Sequence, residues 1–489
     1  MKKILIANRG EIALRVMRTA RKMGIRTVAV YSEADRDALH VRYADEAVLI
    51  GPAPSSASYL SIDKVIKAAK LTGADGIHPG YGFLSENAEF ARAVERAGIT
   101  FIGPNAHSIE LMGSKLAAKE AVKDYNIPMV PGVDEAIIDV DKAKRIAKEI
   151  GFPILIKASA GGGGKGMRIV EDAASFEPQM DRAVSEAISA FGDGSVFIEK
   201  YIGSPRHIEI QILADMHGNV LYLFERECSI QRRHQKVVEE APSAIVTPEI
   251  RKRMGAAAVR VAQACDYVGA GTVEFLMDQD KNFYFLEMNT RLQVEHPVTE
   301  MITGLDLVEQ QIRVARGEVL SFFQEDLKIT GHALELRIYA EDPLNDFLPS
   351  VGTLDTYVTP SGEGIRLDDS YEEGMTIPIY YDPMIAKLVT YGSNREEAIQ
   401  RMREAIDAYH IKGAQTTLPF GKFVCDHEAF ISGNFDTHFI KNYYSKEHIL
   451  EQQGTEMAVA AKAGLRFFLE ERDRLRVNNR IPSSWKNNR

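Results

Sequence analysis

The segment from Phe283 to His296 constrains the fold of this 489-residue chain more than any other. Polar residues occupy every second position from Glu287 to Glu295 in this segment. Because side chains alternate between the two faces of a β-strand, this spacing predicts a strand with one polar face. That face, here called the polar row, consists of Glu287, Asn289, Arg291, Gln293 and Glu295. A strand with one solvent-exposed face shows the same alternation of polar and apolar residues. The pattern alone therefore does not identify a functional site, and the residue types in the row have to decide.

The chemistry of the polar row favours a site. Two acids and an amide oxygen suit a hard cation such as magnesium, and the guanidinium of Arg291 offers a planar fork to a carboxylate or bicarbonate anion. A further acid, Glu274, lies among apolar residues in a second strand-like run. A carboxylate in such surroundings is costly unless a cation or hydrogen bonds compensate it. Glu274, Glu287 and Asn289 are therefore predicted to form a metal and phosphate clamp.

The composition limits the protein class. With 45% hydrophobic and 26% charged residues the chain is typical of soluble globular proteins, and its length indicates about three domains. A net charge of -10 disfavours nonspecific binding to nucleic acid. The three cysteines, Cys228, Cys265 and Cys425, show no disulfide or zinc spacing, which predicts a cytoplasmic location. No apolar run approaches the roughly 18 residues that cross a bilayer, so no membrane association is expected.

Residues 1 to 113 alternate short apolar runs with helical patterns, which is typical of an open parallel α/β sheet. The predicted strands are Lys3 to Ala7, Thr27 to Tyr31, Glu46 to Ile50, Gly76 to His78 and Thr100 to Ile102. The turn after the first strand has one glycine and lacks a dinucleotide-binding fingerprint, so the sheet is interpreted as scaffold. The loop from His78 to Asn87, which contains Tyr81, follows a strand, and its residues alone favour a structural turn.

Residues 114 to 204 contain a glycine-rich segment. A predicted helix from Ser114 to Tyr125 carries Lys115, and a strand ending at Lys157 precedes four consecutive glycines, Gly161 to Gly164. Glycines let the backbone approach phosphates closely and present amide hydrogens to them, while Lys157 adds positive charge. A flexible linker is the alternative, but apolar strands on both sides favour a phosphate-binding hairpin. The segment lacks the Gly-Lys-Ser/Thr ending of a Walker loop.

Residues 205 to 445 are predicted to be rich in β-sheet. The segment from Glu225 to Lys236 is dense in hydrogen-bond donors, and three interpretations compete. Flanking acids and a lack of aromatic residues disfavour a nucleic-acid surface. A nucleophilic Cys228 has cationic neighbours but no evident base. A cradle for anions and a nucleotide fits best. Spacing also predicts an ordinary exposed strand arginine at Arg337, one helix from Thr299 to Arg316, and a solvated helix in the tail, residues 446 to 489.

The string Glu-Met-Asn-Thr-Arg-Leu-Gln-Val-Glu-His, together with the glycine-rich and donor-rich segments, resembles biotin carboxylase, a member of the ATP-grasp family. The resemblance covers about residues 1 to 445. It implies a Rossmann-like α/β domain (1–113), an ATP-grasp lid region with the glycine-rich loop (114–204), a large ATP-grasp and biotin carboxylase C-terminal domain (205–445) and a tail (446–489).

The resemblance also implies roles for individual residues. Those implied at ATP are Lys115, Lys157, Gly163, Gly164, Glu199, Lys200, Ile202, His207, Gln231, His234, Glu274 and Glu287. Those implied at bicarbonate are Lys236, Arg291, Gln293 and Val294, with Glu295 as the base that deprotonates it. Arg337 would stabilise the biotin enolate, and Tyr81 would lie near the biotin pocket. Glu274, Glu287 and Asn289 would hold two magnesium ions, with manganese as an alternative.

The implied activity is ATP-dependent carboxylation of biotin by bicarbonate through carboxyphosphate. No Met-Lys-Met biotinyl motif occurs, so the biotin is expected on a separate carrier protein, with a carboxyltransferase subunit as a further partner. The family suggests a homodimer, and the final acceptor stays open among acetyl-CoA, propionyl-CoA, another acyl-CoA and pyruvate. Two alternatives remain: another ATP-grasp ligase that activates a carboxylate, and a scaffold that binds ATP without turnover.

Overall fold

The computed structural model describes residues 1–133, 137, 139–158, 167–191 and 194–478. The glycine-rich loop, with Gly163 and Gly164, lies outside these residues, and Lys115 is described only as the first residue of a helix.

The N-terminal region is the parallel α/β sheet that the alternating pattern predicts. Its strand order is β3-β2-β1-β4-β5, and neighbouring strands are parallel. Apolar side chains of the strands and of the flanking helices fill two cores, one on each face. The elements are β1 Lys3–Ile6, α1 Gly10–Lys22, β2 Arg26–Ser32, α2 Leu39–Tyr43, β3 Glu46–Gly51, α3 Ile62–Thr72, β4 Gly76–His78, α4 Ala88–Arg96, β5 Thr100–Phe101 and α5 Ala106–Gly113.

The second region is small. Its three-stranded antiparallel sheet has the order β7-β6-β8 and packs against two helices through a core of its own. The elements are α6 Lys115–Val122, α7 Val140–Ile150, β6 Ile154–Ala158, β7 Met167–Val170, α8 Phe176–Phe191 and β8 Val196–Lys200.

The third region is built on an eight-stranded antiparallel sheet of order β13-β12-β9-β10-β11-β14-β19-β18. One sheet therefore runs from the predicted clamp strands to the strand of Arg337. The elements are β9 Arg206–Ala214, β10 Val220–Arg232, β11 Gln235–Ala241, α9 Pro248–Ala264, β12 Gly269–Met277, β13 Phe283–Asn289, α10 His296–Thr303, α11 Leu307–Ala315, β14 His332–Tyr339, β15 Glu341–Asp342, β16 Leu348–Pro349, β17 Thr356–Val358, β18 Ile365–Asp369, β19 Met384–Gly392, α12 Arg395–Ala408, β20 His410–Lys412, α13 Leu418–Asp426, α14 Glu428–Ile431, α15 Phe439–Tyr443 and α16 Lys446–Asn478.

Two predictions of secondary structure are wrong around the polar row. The strand β13 ends at Asn289, and residues 290–295 form a loop that leads into α10. Pro297 in the first turn of α10 fits a helix start, because proline lacks the N–H that a first turn leaves unpaired. The single helix predicted from Thr299 to Arg316 is two helices, because Gly304 ends α10 in a left-handed conformation with φ 72°.

Within the tail, Lys446–Asn478 form the 33-residue helix α16, and residues 479–489 lie outside the described part of the chain. Ile449 in its first turns is buried, whereas most described side chains beyond it are exposed. No helix among the described residues is long and apolar enough to cross a membrane.

Candidate functional site

Two carboxylates face each other across adjacent strands. Glu274 on β12 is the register partner of Glu287 on β13, so both side chains lie on one face of the large sheet. Oε1 of Glu274 accepts hydrogen bonds from Nδ2 of Asn289 and Nε2 of Gln293, each at 2.9 Å. The two carboxylates suit magnesium. Oδ1 of Asn289 accepts a hydrogen bond from Nη2 of Arg291 at 3.0 Å, which leaves one lone pair of this oxygen for a metal ion.

Lys236 lies at the centre of three carboxylates. Its Nζ is 2.5 Å from Glu209 Oε2, 2.9 Å from Glu274 Oε1 and 2.7 Å from Glu295 Oε1. Burial alone would lower the pKa of Lys236, but the three carboxylates outweigh it and raise that pKa well above the ordinary value. The ammonium group is therefore charged at neutral pH, and carboxylates of the same chain surround it.

Glu295 joins Lys236 to Arg337. Its Oε2 accepts from Nη2 of Arg337 at 2.9 Å, and the Nε of Arg337 donates to Glu239 at 2.6 Å. Burial favours the neutral form of Glu295, but Lys236 and Arg337 outweigh burial and lower its pKa. For Glu239 burial prevails over Arg337 and raises the pKa to about 7. The prediction that Arg337 is an exposed strand arginine is wrong, since it is 8% exposed and held between two acids.

Arg291 extends toward the N-terminal region. Its Nε donates to Oε2 of Glu86 at 2.8 Å, and Glu86 also accepts from the backbone N–H of Thr290. Glu86 belongs to the loop after β4, the loop that contains Tyr81. The backbone loop 290–295, although not a strand, still brings Gln293 and Glu295 back to Glu274 and Lys236.

Arg226 is a site residue that the sequence analysis did not single out. It is fully buried on β10, and each of its nitrogens has a partner. The acceptors are Glu209 Oε1 at 2.5 Å, Gln211 Oε1 at 2.6 Å, Thr299 Oγ1 at 2.9 Å, Thr272 Oγ1 at 3.0 Å and Gln293 Oε1 at 2.7 Å. Its register partner on β9 is Glu209.

The predicted nucleotide residues of the second region form an ion-pair group around Glu199. Lys157 Nζ lies 2.5 Å from Glu199 Oε2, and Lys119 Nζ lies 2.5 Å from Glu199 Oε1. Burial favours the neutral form of Glu199, but the two lysines outweigh it and lower its pKa. Lys200 donates to the backbone carbonyls of Gly151 and Phe152. Lys119 was missed because a lysine on a polar helix face carries no sequence signal.

The other predicted nucleotide residues lie along β9 and the β10–β11 hairpin. His207 Nε2 is 2.9 Å from Glu274 Oε2; burial alone would lower the pKa of His207, but Glu274 outweighs it and raises the pKa. Gln231 donates to the carbonyl of Cys228, and His234 is an exposed residue of the hairpin turn with φ 68°. Ile202 is half-buried just after β8.

A buried lysine, Lys387, lies between Tyr81 and the loop 290–295. The Nζ of Lys387 is 5.7 Å from the centre of the Tyr81 ring and donates to the backbone carbonyl of Val294 at 3.0 Å. The hydroxyl of Tyr81 is buried and has no hydrogen-bond partner among the residues that the structure describes. Tyr81 and Val294 thus share one cation.

The structure disfavours a nucleophilic cysteine and a nucleic-acid surface in the donor-rich segment. Cys228 is fully buried, and burial raises the pKa of its thiol well above the ordinary value, which disfavours a thiolate. Arg226 and Arg232 point their guanidinium groups at buried acids of the same chain, Glu209 and Glu341.

Comparison with known proteins assigns the family. Three family models match in succession: the biotin carboxylase N-terminal domain over residues 1–109, the ATP-binding domain of the carbamoyl-phosphate synthase L chain over 114–323, and the biotin carboxylase C-terminal domain over 335–442. Biotin carboxylase 1 of Bacillus subtilis is 53% identical over 444 residues, which are 91% of this chain and 99% of that protein. The chain belongs to the biotin carboxylase family.

Two further relatives extend this assignment. The mitochondrial propionyl-CoA carboxylase alpha chain of Rattus norvegicus is 52% identical over 98% of this chain, which spans 66% of that protein. The biotin carboxylase domain of the Hydrogenobacter thermophilus 2-oxoglutarate carboxylase, solved as a dimer with MgADP, ADP and bicarbonate, has a TM-score of 0.84 and 49% identity, covering 92% of this chain and 98% of that one. The predicted α/β fold and ATP-grasp family are confirmed, and the chain is an ATP-grasp enzyme whose family carboxylates biotin.

Proposed function

We propose that this chain carboxylates biotin on a separate carrier protein, using ATP and bicarbonate through carboxyphosphate, as the first half-reaction of a biotin-dependent carboxylase. The observation that carries the proposal is the buried arrangement in which the Glu295 carboxylate joins Lys236 to Arg337. Lys236 is the cation for bicarbonate, Glu295 is the base, and Arg337 is the cation for a second anion, the biotin enolate. Glu295 lies within hydrogen-bond distance of both cations.

Bicarbonate activation is the first step. Lys236 and Arg291 bind bicarbonate beside Gln293 and Val294, and its oxygen attacks the γ-phosphorus of ATP, which releases ADP and forms carboxyphosphate. Glu274 and Glu287, with Asn289, would hold magnesium, which would supply neutralisation of the negative charge on the nucleotide phosphates. Lys115, Lys157, Gly163 and Gly164 contact the phosphates, and Glu199, Lys200, Ile202, His207, Gln231 and His234 surround the rest of the nucleotide.

The Glu295 carboxylate accepts the proton of bicarbonate. With its pKa lowered by Lys236 and Arg337, Glu295 is ionised at neutral pH but is a weak base while both cations contact it. When those two cations turn toward substrate anions, Glu295 loses their stabilisation and becomes a stronger base. Lys236 and Arg337 thus keep Glu295 ionised before the substrates bind. When they turn to the substrates, the pKa of Glu295 rises.

Transfer to biotin follows at Arg337. Carboxyphosphate breaks down to carbon dioxide and fully deprotonated phosphate, this phosphate takes the proton from the biotin nitrogen, and that nitrogen attacks carbon dioxide. Arg337 stabilises the enolate oxygen formed on biotin, a contribution of the kind that is often worth about 3 kcal/mol. Tyr81 lies at the biotin side of this site. The proposed partners are a carrier protein, a carboxyltransferase subunit and a second copy of the chain. The proposed location is the cytoplasm.

The test is ATP hydrolysis by the purified chain with magnesium and bicarbonate, with and without free biotin, while labelled bicarbonate is followed into carboxybiotin. Biotin-stimulated hydrolysis with label incorporation is expected. Hydrolysis that needs bicarbonate but ignores biotin would instead indicate another ATP-grasp ligase. An absence of turnover with intact ATP binding would indicate a scaffold.

A further inference from the structure

We infer that Arg226 is a positioning residue of the bicarbonate site: it fixes the amide orientation of Gln293 and holds Glu209 against Lys236. This inference rests on the proposed function, because it concerns the site assigned there to bicarbonate. Arg226 itself is too deeply buried to touch a substrate, and it acts through its two neighbours.

The amide of Gln293 can adopt one orientation only. A guanidinium group has donors and no acceptor, so Arg226 can face only the carbonyl oxygen of that amide. Its Nη2 donates to Gln293 Oε1 at 2.7 Å, and the Nε2 of Gln293 then points at Glu274, to which it donates at 2.9 Å. Arg226 therefore sets which end of Gln293 is presented to the centre of the site.

Glu209 is divided between two cations. Its Oε1 accepts from Arg226 and its Oε2 lies against Lys236, so Arg226 determines how the carboxylate meets the lysine. Arg226 also offsets one of the three negative charges around Lys236. Without this guanidinium, Glu209 would pair with Lys236 alone and hold it more strongly, which would leave the ammonium less available to an anionic substrate.

The other three contacts make the guanidinium rigid. Gln211 on β9, Thr272 on β12 and Thr299 on α10 each accept one of its hydrogen bonds. Charge alone could be supplied by lysine, but a lysine ammonium has no planar fork and cannot reproduce five donors in fixed directions. The role depends on the geometry of arginine, which distinguishes it from simple charge balance.

The test compares Arg226→Lys with wild type in bicarbonate-dependent ATP hydrolysis. The KM for bicarbonate is expected to rise about tenfold or more, the effect of losing one or two hydrogen bonds to charged groups, while the KM for ATP stays within about twofold. Arg251→Lys is the matched control, because Arg251 makes a similar paired contact with buried Glu225 and lies on α9. It is expected to lower the unfolding midpoint without changing the KM for bicarbonate.

A double-mutant cycle with Gln293→Ala tests whether Arg226 acts through the amide. If it does, the two changes together raise the KM for bicarbonate by less than the product of their separate effects. If Arg226→Lys is not recovered folded, the double variant Thr272→Val/Thr299→Val decides, because it keeps the guanidinium and removes two of its acceptors. It is expected to raise the KM for bicarbonate about threefold.

An unchanged KM for bicarbonate in Arg226→Lys, or in the threonine double variant where that one decides, would overturn the inference. Equal increases in the KM values for bicarbonate and ATP would overturn it too. A wild-type chain without bicarbonate-dependent hydrolysis would contradict the proposed function itself, so the two failures are distinguishable.

Discussion

Glu295 combines deep burial with two cationic partners, and this combination makes its role testable by a near-isosteric change. Glu295→Gln removes the carboxylate that accepts a proton and keeps the size of the side chain. Carboxybiotin formation is expected to fall about 100-fold or more, because positioned bases contribute on that scale. ATP affinity is expected to change little, and titration calorimetry with a nonhydrolysable ATP analogue measures it.

Glu177→Gln serves as the control for Glu295, since Glu177 is an exposed acid on α8 that pairs with Lys144. It should leave both measurements at the wild-type level. Carboxybiotin formation by Glu295→Gln within about twofold of wild type would exclude Glu295 as the base.

Lys157 pairs with Glu199 beside the predicted phosphate loop, and its side chain is 31% exposed. Lys157→Met is expected to weaken ADP and ATP binding about tenfold, since it removes a charged contact to phosphate. Lys144→Met, which removes an exposed lysine of α7 in the same region, is the control. Titration calorimetry reports both affinities, and equal affinity in wild type and Lys157→Met would place Lys157 outside the nucleotide site.

At the scale of single residues, the sequence singled out the acids Glu274 and Glu287, which the structure places opposite each other, but it did not single out Arg226. Glu274 and Glu287 stand out because acids among apolar strand residues require compensation. Arg226 gave no such signal, since a fully buried arginine is rare and its partners lie up to 73 positions away. Only the folded sheet brings these acceptors together.

Among the elements, β11 is tied to its surroundings by a buried acid with a strongly perturbed pKa. Glu240 accepts from Nε of Arg395 on α12 at 2.6 Å and contacts His332 on β14 at 2.8 Å. Burial favours the neutral acid, but Arg395 and His332 outweigh it and lower the pKa from 4.5 to about 2. Glu240 therefore stabilises the fold above pH 4.5 and loses this contribution as the pH falls toward 2.

This gives a pH-dependent prediction for Glu240→Gln. At pH 7 the variant is expected to be less stable than wild type by up to about 3 kcal/mol, the value of a pKa difference of about 2.5 units. The difference should shrink as the pH falls from 4.5 toward 2. Thermal unfolding midpoints across pH 2 to 7 measure it, and a difference that stays constant with pH would contradict the assignment to this ionisation.

The elements also show where periodicity misleads. In the N-terminal region, alternating strand and helix patterns predicted every strand of the sheet to within one or two residues. The polar row continues the alternation past Asn289, yet residues 290–295 form a loop. Polar residues at every second position do not require an extended backbone. In this loop, Glu295 and Gln293 turn inward because they contact Lys236 and Arg226.

On the scale of the whole molecule, a buried lysine joins the N-terminal helix α1 to the large sheet. Lys387 on β19 is fully buried, and its Nζ is 3.2 Å from Oε2 of Glu11 on α1. The same Nζ donates to the carbonyl of Val294 in the loop of the proposed bicarbonate site. Lys387 thus links helix α1, strand β19 and the loop 290–295 at one point.

Lys387→Met is therefore expected to lower the stability of the chain. It is also expected to weaken bicarbonate binding at the loop 290–295. Removing Lys387 leaves Glu11, and Asp368 at 3.8 Å, without this ammonium group. Because burial already raises the pKa of Glu11 to about 7, Glu11 can take up a proton, and the cost is expected to lie below the about 3 to 5 kcal/mol of a fully charged buried pair. Because a chain of several domains need not unfold in two states, the unfolding midpoint is the appropriate measure. Loss of the contact to Val294 is expected to raise the KM for bicarbonate in the variant that remains folded at assay temperature.

Arg42→Met provides the matched control, because Arg42 on α2 pairs with Glu372 across the same two regions but both side chains are about half exposed. Exposed ion pairs contribute less than about 1 kcal/mol, so this variant should shift the midpoint little and leave bicarbonate kinetics unchanged. Equal midpoint shifts in the two variants would show that burial of Lys387 adds nothing to the junction. A lower midpoint with normal bicarbonate kinetics would show that Lys387 joins the regions without positioning the loop.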